Sequence, residues 1–403
     1  MRSQSQGFDL TVASICALIL GPSINYYLND LIQYVYGGAS VSAMIYILLG
    51  VIGLRSYLFL SKQKRLTKSA RITVFAVLAC LLFSYVLHPS IGDVILAPDF
   101  NPLRSIGLFL LFFGFPLMIY CSLDINWNLL LRYLFYFSVV DIILAGLDYS
   151  WVMLRISMDD VNYMSFSYNQ LVAASVCAVY GYKEKKIIPF LISIISLILI
   201  FFGGARGPLG CLLVLYMLLI AYPFSARRIL IMSGIALILI IGGPMILNKV
   251  LSRSADVISD IGGFSRTLYK ITEGDLLQSD SRDNLSKIIE NAIGSNPLGY
   301  GLLGDRYILK QHGMTGYAHN VVLELFCDFG WLLGPVIFII WIISILKFFF
   351  NKKRQDSFYI YLALVPSGCL MLFFSGSFVE EFAFWALLGV VYNWKLKYKL
   401  MQG

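Results

Sequence analysis

The chain has 403 residues, of which 59% are hydrophobic and only 13% charged, and its mean hydropathy is +0.77. A soluble protein carries about 25% charged residues, so this composition excludes a set of soluble domains, and so apolar a chain is not disordered. The net charge of +8 comes from 31 Lys and Arg against 23 Asp and Glu; in a chain this apolar, the cations mark the sides of a membrane rather than a nucleic-acid surface.

Apolar runs long enough to cross about 30 Å of hydrocarbon fall at 8–25, 39–60, 72–88, 104–122, 131–149, 168–182, 187–203, 207–222, 229–247, 319–346, 357–375 and 378–394. Twelve crossings put both termini on one side. On that side fall the cation clusters Lys62–Arg71, Lys183–Lys186, Arg227–Arg228, Lys347–Arg354 and Lys395–Lys399, which the positive-inside rule makes cytoplasmic. The fold class expected is therefore an all-α polytopic membrane protein with both termini cytoplasmic. The first run has Asp9 at its head and no small-residue cleavage site behind it, so it reads as a retained span. The seven cysteines lie in or beside spans without CxxC or Cys/His spacing, and read as small buried residues rather than as disulfides or a zinc site.

Three regions follow: spans one to nine over 1–247, a large outer loop over 248–318, and spans ten to twelve with a tail over 319–403. The loop has eight basic and eight acidic residues, so any anion site there needs selected arginines to converge. Leu285, Ile288, Ile289, Ala292 and Ile293 recur at helical spacing behind Asp280 and Ser281, and Gly294-Ser295-Asn296-Pro297 ends that helix. A weaker helical pattern covers 247–258. Two such helices over the bundle make a cap with a site beneath it.

Arg206 lies in Gly203-Gly204-Ala205-Arg206-Gly207-Pro208, between two spans at the outer boundary. It reads either as an interfacial arginine snorkelling to headgroups or as a fork for a phosphate, with glycines that admit a close ligand and Pro208 in the next helix's first turn. Of the three histidines, His88 sits at a span end and His312 in the loop. His319 opens the tenth span, either as a packing residue or as an imidazole within reach of a hydroxyl. Glu324 falls at i+4 from Asn320 and off the His319 face, so it pairs with Asn320 or with an outer arginine, not with His319. Asp141, Glu324 and Asp328 are acids within spans, which face a polar interior or act chemically. Glu380 and Glu381 read as a solvated turn.

The segments Asn296-Pro297-Leu298-Gly299-Tyr300-Gly301-Leu302-Leu303-Gly304-Asp305-Arg306, Tyr317-Ala318-His319-Asn320-Val321-Val322-Leu323-Glu324-Leu325 and Gly330-Trp331-Leu332-Leu333-Gly334 together resemble the O-antigen polymerase and O-antigen ligase family. Ala205-Arg206-Gly207-Pro208-Leu209 and Ser281-Arg282-Asp283-Asn284-Leu285 extend the likeness, in the family's order, over roughly 200–335. The resemblance implies an enzyme of the bacterial inner membrane whose active site faces the periplasm. It would transfer a glycan from undecaprenyl pyrophosphate to a sugar hydroxyl with inversion, using no nucleotide sugar, cofactor or metal. Arg206 and Arg282 would hold the pyrophosphate and His319 would act as general base. Arg306, Arg266, Asn320 and Glu324 would serve as further substrate-binding residues. Partners so implied are the lipid-linked donor and acceptor, the bilayer, and a chain-length regulator and a flippase of the same pathway, with no nucleic acid. The wording around Gly304-Asp305-Arg306 and His319 is closer to polymerases than to ligases, which transfer to lipid A–core. A flippase for lipid-linked oligosaccharide is the reading from another class.

Overall fold

The computed structural model describes residues 9–36, 40–65, 67–96, 105–150, 163–203, 205–222, 280–350 and 356–400. Among them there is no strand. In chain order the helices are α1 (Leu10–Tyr36), α2 (Ser42–Lys62), α3 (Lys68–Leu87), α4 (Ile106–Ser122), α5 (Trp127–Asp148), α6 (Tyr163–Glu184), α7 (Ile187–Phe202), α8 (Arg206–Ala221), α9 (Asp280–Ser295), α10 (Gly304–Gln311), α11 (Val321–Phe349), α12 (Ser357–Phe373) and α13 (Phe382–Leu400). Among the described residues α1, α2, α3, α5 and α11 are long and apolar enough to cross a membrane, and α4, α7, α8, α12 and most of α13 are shorter apolar helices. This is the architecture of a polytopic helical membrane protein. The expected run at 229–247, the weaker helix at 247–258 and Arg266 lie outside the described residues.

On α7 the side-chain distribution is inverted relative to a surface helix of a soluble protein. Ile187, Ile188, Leu191, Ile195 and Ile198 are exposed, while Ser193 and Ser196 are buried. The Ser193 hydroxyl donates to the Ala174 carbonyl (2.7 Å) and that of Ser196 to Gln170 Oε1 (2.9 Å), both on α6. Apolar surface turned outward needs lipid around it, and hydrogen bonds turned inward hold helices together where no hydrophobic force does.

The described residues fall into two compact units, one drawn from 1–21, 43–133 and 279–403, the other from 22–42 and 134–278. In the second unit the mid-helix acid Asp141 is fully buried. Its Oδ1 accepts from the Ser23 hydroxyl (2.7 Å) and its Oδ2 from Gln170 Nε2 (3.1 Å), so the polar interior expected for a span acid is built from its neighbours. The same unit holds the Gly203 hairpin. A side chain at Gly203 would overlap the Ser167 hydroxyl, so this glycine permits a close approach to α6. Pro208 takes the first turn of α8, as its fixed φ favours.

In the first unit α13 packs on α4. The backbone at Gly389 comes so near that an added Cβ would lie 2.5 Å from the Met118 carbonyl oxygen, and Asn393 Nδ2 donates to the Leu123 carbonyl (2.6 Å). The apolar run expected as one tenth span is broken. Gly330 has φ 68° and ψ −174°, and the break folds Gly334 against the Leu325 carbonyl nine positions earlier. Along a straight helix those residues would stand roughly 13 Å apart. Residues 297–304 fill the break: Tyr300 N donates to the Cys327 carbonyl (2.9 Å), Gly301 N to that of Asp328 (2.8 Å), and Trp331 N to that of Pro297 (2.8 Å). Glu324 and Asp328 thus sit on the short arm before the break, not on the long apolar arm after it.

A side chain at Gly330 would overlap the Pro297 carbonyl oxygen in a backbone conformation that L residues rarely adopt. Gly330→Ala should therefore prevent normal accumulation in the membrane, whereas Gly146→Ala, which meets open space on α5, should not. Membrane yield and thermal midpoint in detergent measure this; wild-type values for Gly330→Ala would contradict the break.

Candidate functional site

Within the first unit, α9 lays Ile289, Ala292 and Ile293 onto Ile308 and Leu309 of α10 and Cys327 of α11, with Leu285 and Ile288 packed against the same cluster. The amphipathic stripe expected in the loop is therefore real, and α9 stops at Ser295, before Asn296-Pro297. This packing fixes α10, whose N-terminus is capped from a distance. Asp328 Oδ2 accepts from Leu303 N (3.2 Å) and its Oδ1 from Asp305 N (3.4 Å), placing a carboxylate where a helix favours negative charge.

Asp305 and Arg306 on α10 are both buried, the latter only 5% exposed. Arg306 Nη1 donates to Asp305 Oδ1 (3.0 Å) and Glu324 Oε1 (3.2 Å), and its Nη2 to the Ser377 hydroxyl (2.8 Å) and Glu380 Oε1 (3.0 Å). Glu324 is further held by the Ser377 hydroxyl (2.5 Å) and Phe378 N (3.3 Å). One guanidinium thus joins α10, the short arm of α11 and the turn before α13. Burial works against its charge, but Asp305, Glu380 and Glu324 outweigh that and hold its pKa well above the ordinary arginine value.

Beside this knot runs the segment that carries His319. The Arg306 guanidinium carbon stands 5.4 Å from the Tyr317 ring centroid, and the Tyr317 ring lies 4.2 Å from that of His319. The Tyr317 hydroxyl donates to the Ser375 carbonyl (2.7 Å), and Ala318 N donates to Asp305 Oδ2 (2.9 Å). His319 itself has φ 54°, a left-handed backbone that few residues with a side chain adopt. Asn320 follows as the N-cap of α11, its Oδ1 accepting from Val322 N (2.9 Å) and Leu323 N (3.4 Å).

Of the residues singled out from the sequence, Arg306, His319, Asn320 and Glu324 come together here. Glu324 meets the arginine, one of its two expected partners, and Asn320 uses its side chain to cap a helix. Both terminal nitrogens of Arg306 are engaged by protein groups. Arg282 lies in the first turn of α9. Arg206 belongs to the second unit, where it is exposed at the first position of α8. His88 lies apart from His319, stacked on Tyr307 at 3.9 Å, and burial lowers its pKa while a hydrogen bond with the Tyr300 backbone opposes the shift.

Sequence reasoning passed over Asp305, Tyr317, Ser377, Glu380 and Glu381. The turn expected for the last two forms, but both acids are only part-exposed and are tied into the fold. Glu380 is bound to Arg306, and Glu381 accepts from the Ser367 hydroxyl (2.7 Å) and Ala383 N (3.3 Å). Burial pushes the Glu381 carboxyl up to about 7, against the pull of those two donors. The folded state thus holds this proton over a range in which the unfolded chain has released it. Stability conferred by that proton is complete below the unfolded carboxyl value and is lost as pH rises toward about 7. The thermal midpoint in detergent should fall between about pH 4.5 and 7, and Glu381→Gln should flatten that part of the profile. An unchanged slope in Glu381→Gln would refute the assignment.

Residues 191–339 match the family model described as O-antigen ligase. That stretch is similar to O-antigen ligases. It begins in α7, ends in the long arm of α11, and contains the ordered motifs over 200–335 on which the resemblance rested. Within the matched stretch lie Arg206, Arg266, Arg282, Arg306, His319, Asn320 and Glu324, while Ser377 and Glu380, which complete the Arg306 knot, lie outside it. No curated protein matches the chain.

Proposed function

We propose that the protein is a polysaccharide polymerase of the bacterial inner membrane. It transfers a glycan from undecaprenyl pyrophosphate to a sugar hydroxyl of another lipid-linked repeat unit on the periplasmic face. The observation that carries this reading is the likeness of 191–339 to the O-antigen ligase family, with His319 held in a left-handed backbone beside a buried charge cluster. Twelve crossings with both termini cytoplasmic put 248–318 and the opening of α11 on that face. The wording of Gly304-Asp305-Arg306 and of Tyr317–Leu325 favours a polymerase over a ligase acting on lipid A–core.

In this mechanism the acceptor hydroxyl gives its proton to the His319 imidazole as its oxygen attacks the anomeric carbon. The bond from that carbon to the pyrophosphate oxygen breaks, the configuration inverts, and undecaprenyl pyrophosphate leaves. Charge grows on the pyrophosphate as the bond breaks, so donors there act mainly in the transition state. Arg206 and Arg282 take that role, for which planar guanidinium forks are suited. Asn320 caps α11 and Glu324 anchors Arg306, so both shape the site behind the histidine.

Purified protein in liposomes, given a lipid-linked repeat unit, should lengthen it in the presence of EDTA. Arg206→Ala and Arg282→Ala should each insert normally and lose transfer by about 10²-fold or more. Full activity in both variants would remove the clamp, and a loss in EDTA restored by divalent cations would contradict the metal-free step.

A further inference from the structure

The segment 317–320 is pinned at every residue around His319. Before it, Tyr317 is anchored through its hydroxyl to the Ser375 carbonyl (2.7 Å), and Ala318 through its N–H to Asp305 Oδ2 (2.9 Å). After it, Asn320 is tied into the first turn of α11. With both sides held, the chain passes through His319 at φ 54°. Backbone in so sparsely populated a region persists only when its surroundings over-determine it. Those surroundings lead back to one group: Asp305 accepts the Ala318 N–H with one carboxylate oxygen and both the N–H and Nη1 of Arg306 with the other. Arg306 also faces the Tyr317 ring, whose centroid is 4.2 Å from that of His319.

We propose that Asp305, Arg306 and Tyr317 are positioning residues that fix the His319 imidazole, Asp305 through the backbone and the Tyr317 ring through direct packing. The inference rests on His319 being the base. It goes further in giving the buried Arg306 cluster, part of it outside the stretch that matches the family, the work of aiming that base rather than of binding substrate. Glu380 and Ser377 then belong to the same device, because they hold the guanidinium that Tyr317 packs on.

Tyr317 gives the sharpest test, since its removal leaves the Arg306 ion pairs in place. The full chain in liposomes, with a lipid-linked repeat unit as substrate, is compared as wild type, Tyr317→Phe, Tyr317→Leu, His319→Ala and the Leu/Ala double variant. Tyr317→Phe keeps the ring and should remain within about 3-fold of wild type. Tyr317→Leu should lower kcat by roughly 10- to 100-fold with KM for the donor unchanged, as expected for a displaced base. In the double variant the Leu change should add nothing to the His319→Ala loss. Should Tyr317→Leu fail to accumulate, Tyr317→Met, whose unbranched chain adapts to an irregular gap, replaces it. Acylation of His319 by diethyl pyrocarbonate, followed on its own peptide by mass spectrometry, should be faster in the ringless variant than in wild type or Tyr317→Phe.

Wild-type kcat in Tyr317→Leu beside an inactive His319→Ala would overturn the positioning role and leave the base in place. Equal losses in Tyr317→Phe and Tyr317→Leu would assign the effect to the Ser375 hydrogen bond and overturn the role of the ring. Unchanged acylation of His319 would overturn the positioning claim independently of activity. Full activity in His319→Ala would overturn the base itself, and the relay with it.

Discussion

His319→Ala should abolish glycan transfer while leaving the protein in the membrane and its lipid-linked donor bound. General-base catalysis contributes typically 10²- to 10⁴-fold, and an inverting displacement by a sugar hydroxyl has no second step through which to recover it. The imidazole suits the task because its ordinary pKa lies near neutrality, where a neutral ring accepts a proton and returns it to water. The loss should therefore appear in kcat rather than in donor affinity. Single-turnover transfer with a labelled lipid-linked donor, together with equilibrium binding of that donor, separates the two. Unchanged turnover would remove His319 as base, whereas lost binding with normal residual turnover would move it into the donor site.

Arg306→Met should damage the fold itself. The guanidinium is nearly fully buried and answers Asp305, Glu324 and the part-exposed Glu380, so its removal leaves the Asp305 and Glu324 side chains buried without their cation. Breaking a buried ion pair from one side costs about 3–5 kcal/mol, a large fraction of a protein's stability. The variant should show a sharply lower thermal midpoint or fail to accumulate. Neutralising the partners in the same chain, with Asp305→Asn and Glu324→Gln, should recover part of the loss because fewer unpaired charges remain. A single Arg306→Met variant as stable as wild type would mean that the cluster does not join α10, α11 and the turn before α13.

What could be read from the sequence was what depends on neighbours along the chain. The stripe at Leu285, Ile288, Ile289, Ala292 and Ile293 and its stop at Asn296-Pro297 are local signals, and α9 follows them. The i+4 spacing that kept Glu324 off the His319 face, and left Asn320 or an arginine as its partner, is local too; which of the two it meets is not. Contacts between distant segments were invisible. Glu380 lies 74 positions from Arg306, and two acids in a short turn resemble any solvated turn until the fold brings a buried guanidinium to them. The break at Gly330 was hidden because the residues on both sides are equally apolar, so hydropathy runs through it without a step. Only the glycine marks it, and it matters because the Pro297–Gly299 backbone fills the space where a side chain would stand. Asp141 announced a polar interior, but its partners Ser23 and Gln170 sit on other helices and carry no motif.

The central claim is polymerisation of lipid-linked repeat units outside the cytoplasm, and the surface polysaccharide of a strain lacking this chain reads it most directly on a gel. The account predicts lipid A–core capped with a single repeat unit, and a full ladder restored by the wild-type chain but not by His319→Ala. Bare core with finished polymer accumulating on its lipid carrier would contradict it in favour of a ligase. Bare core with single units trapped on the cytoplasmic face would contradict it in favour of a flippase.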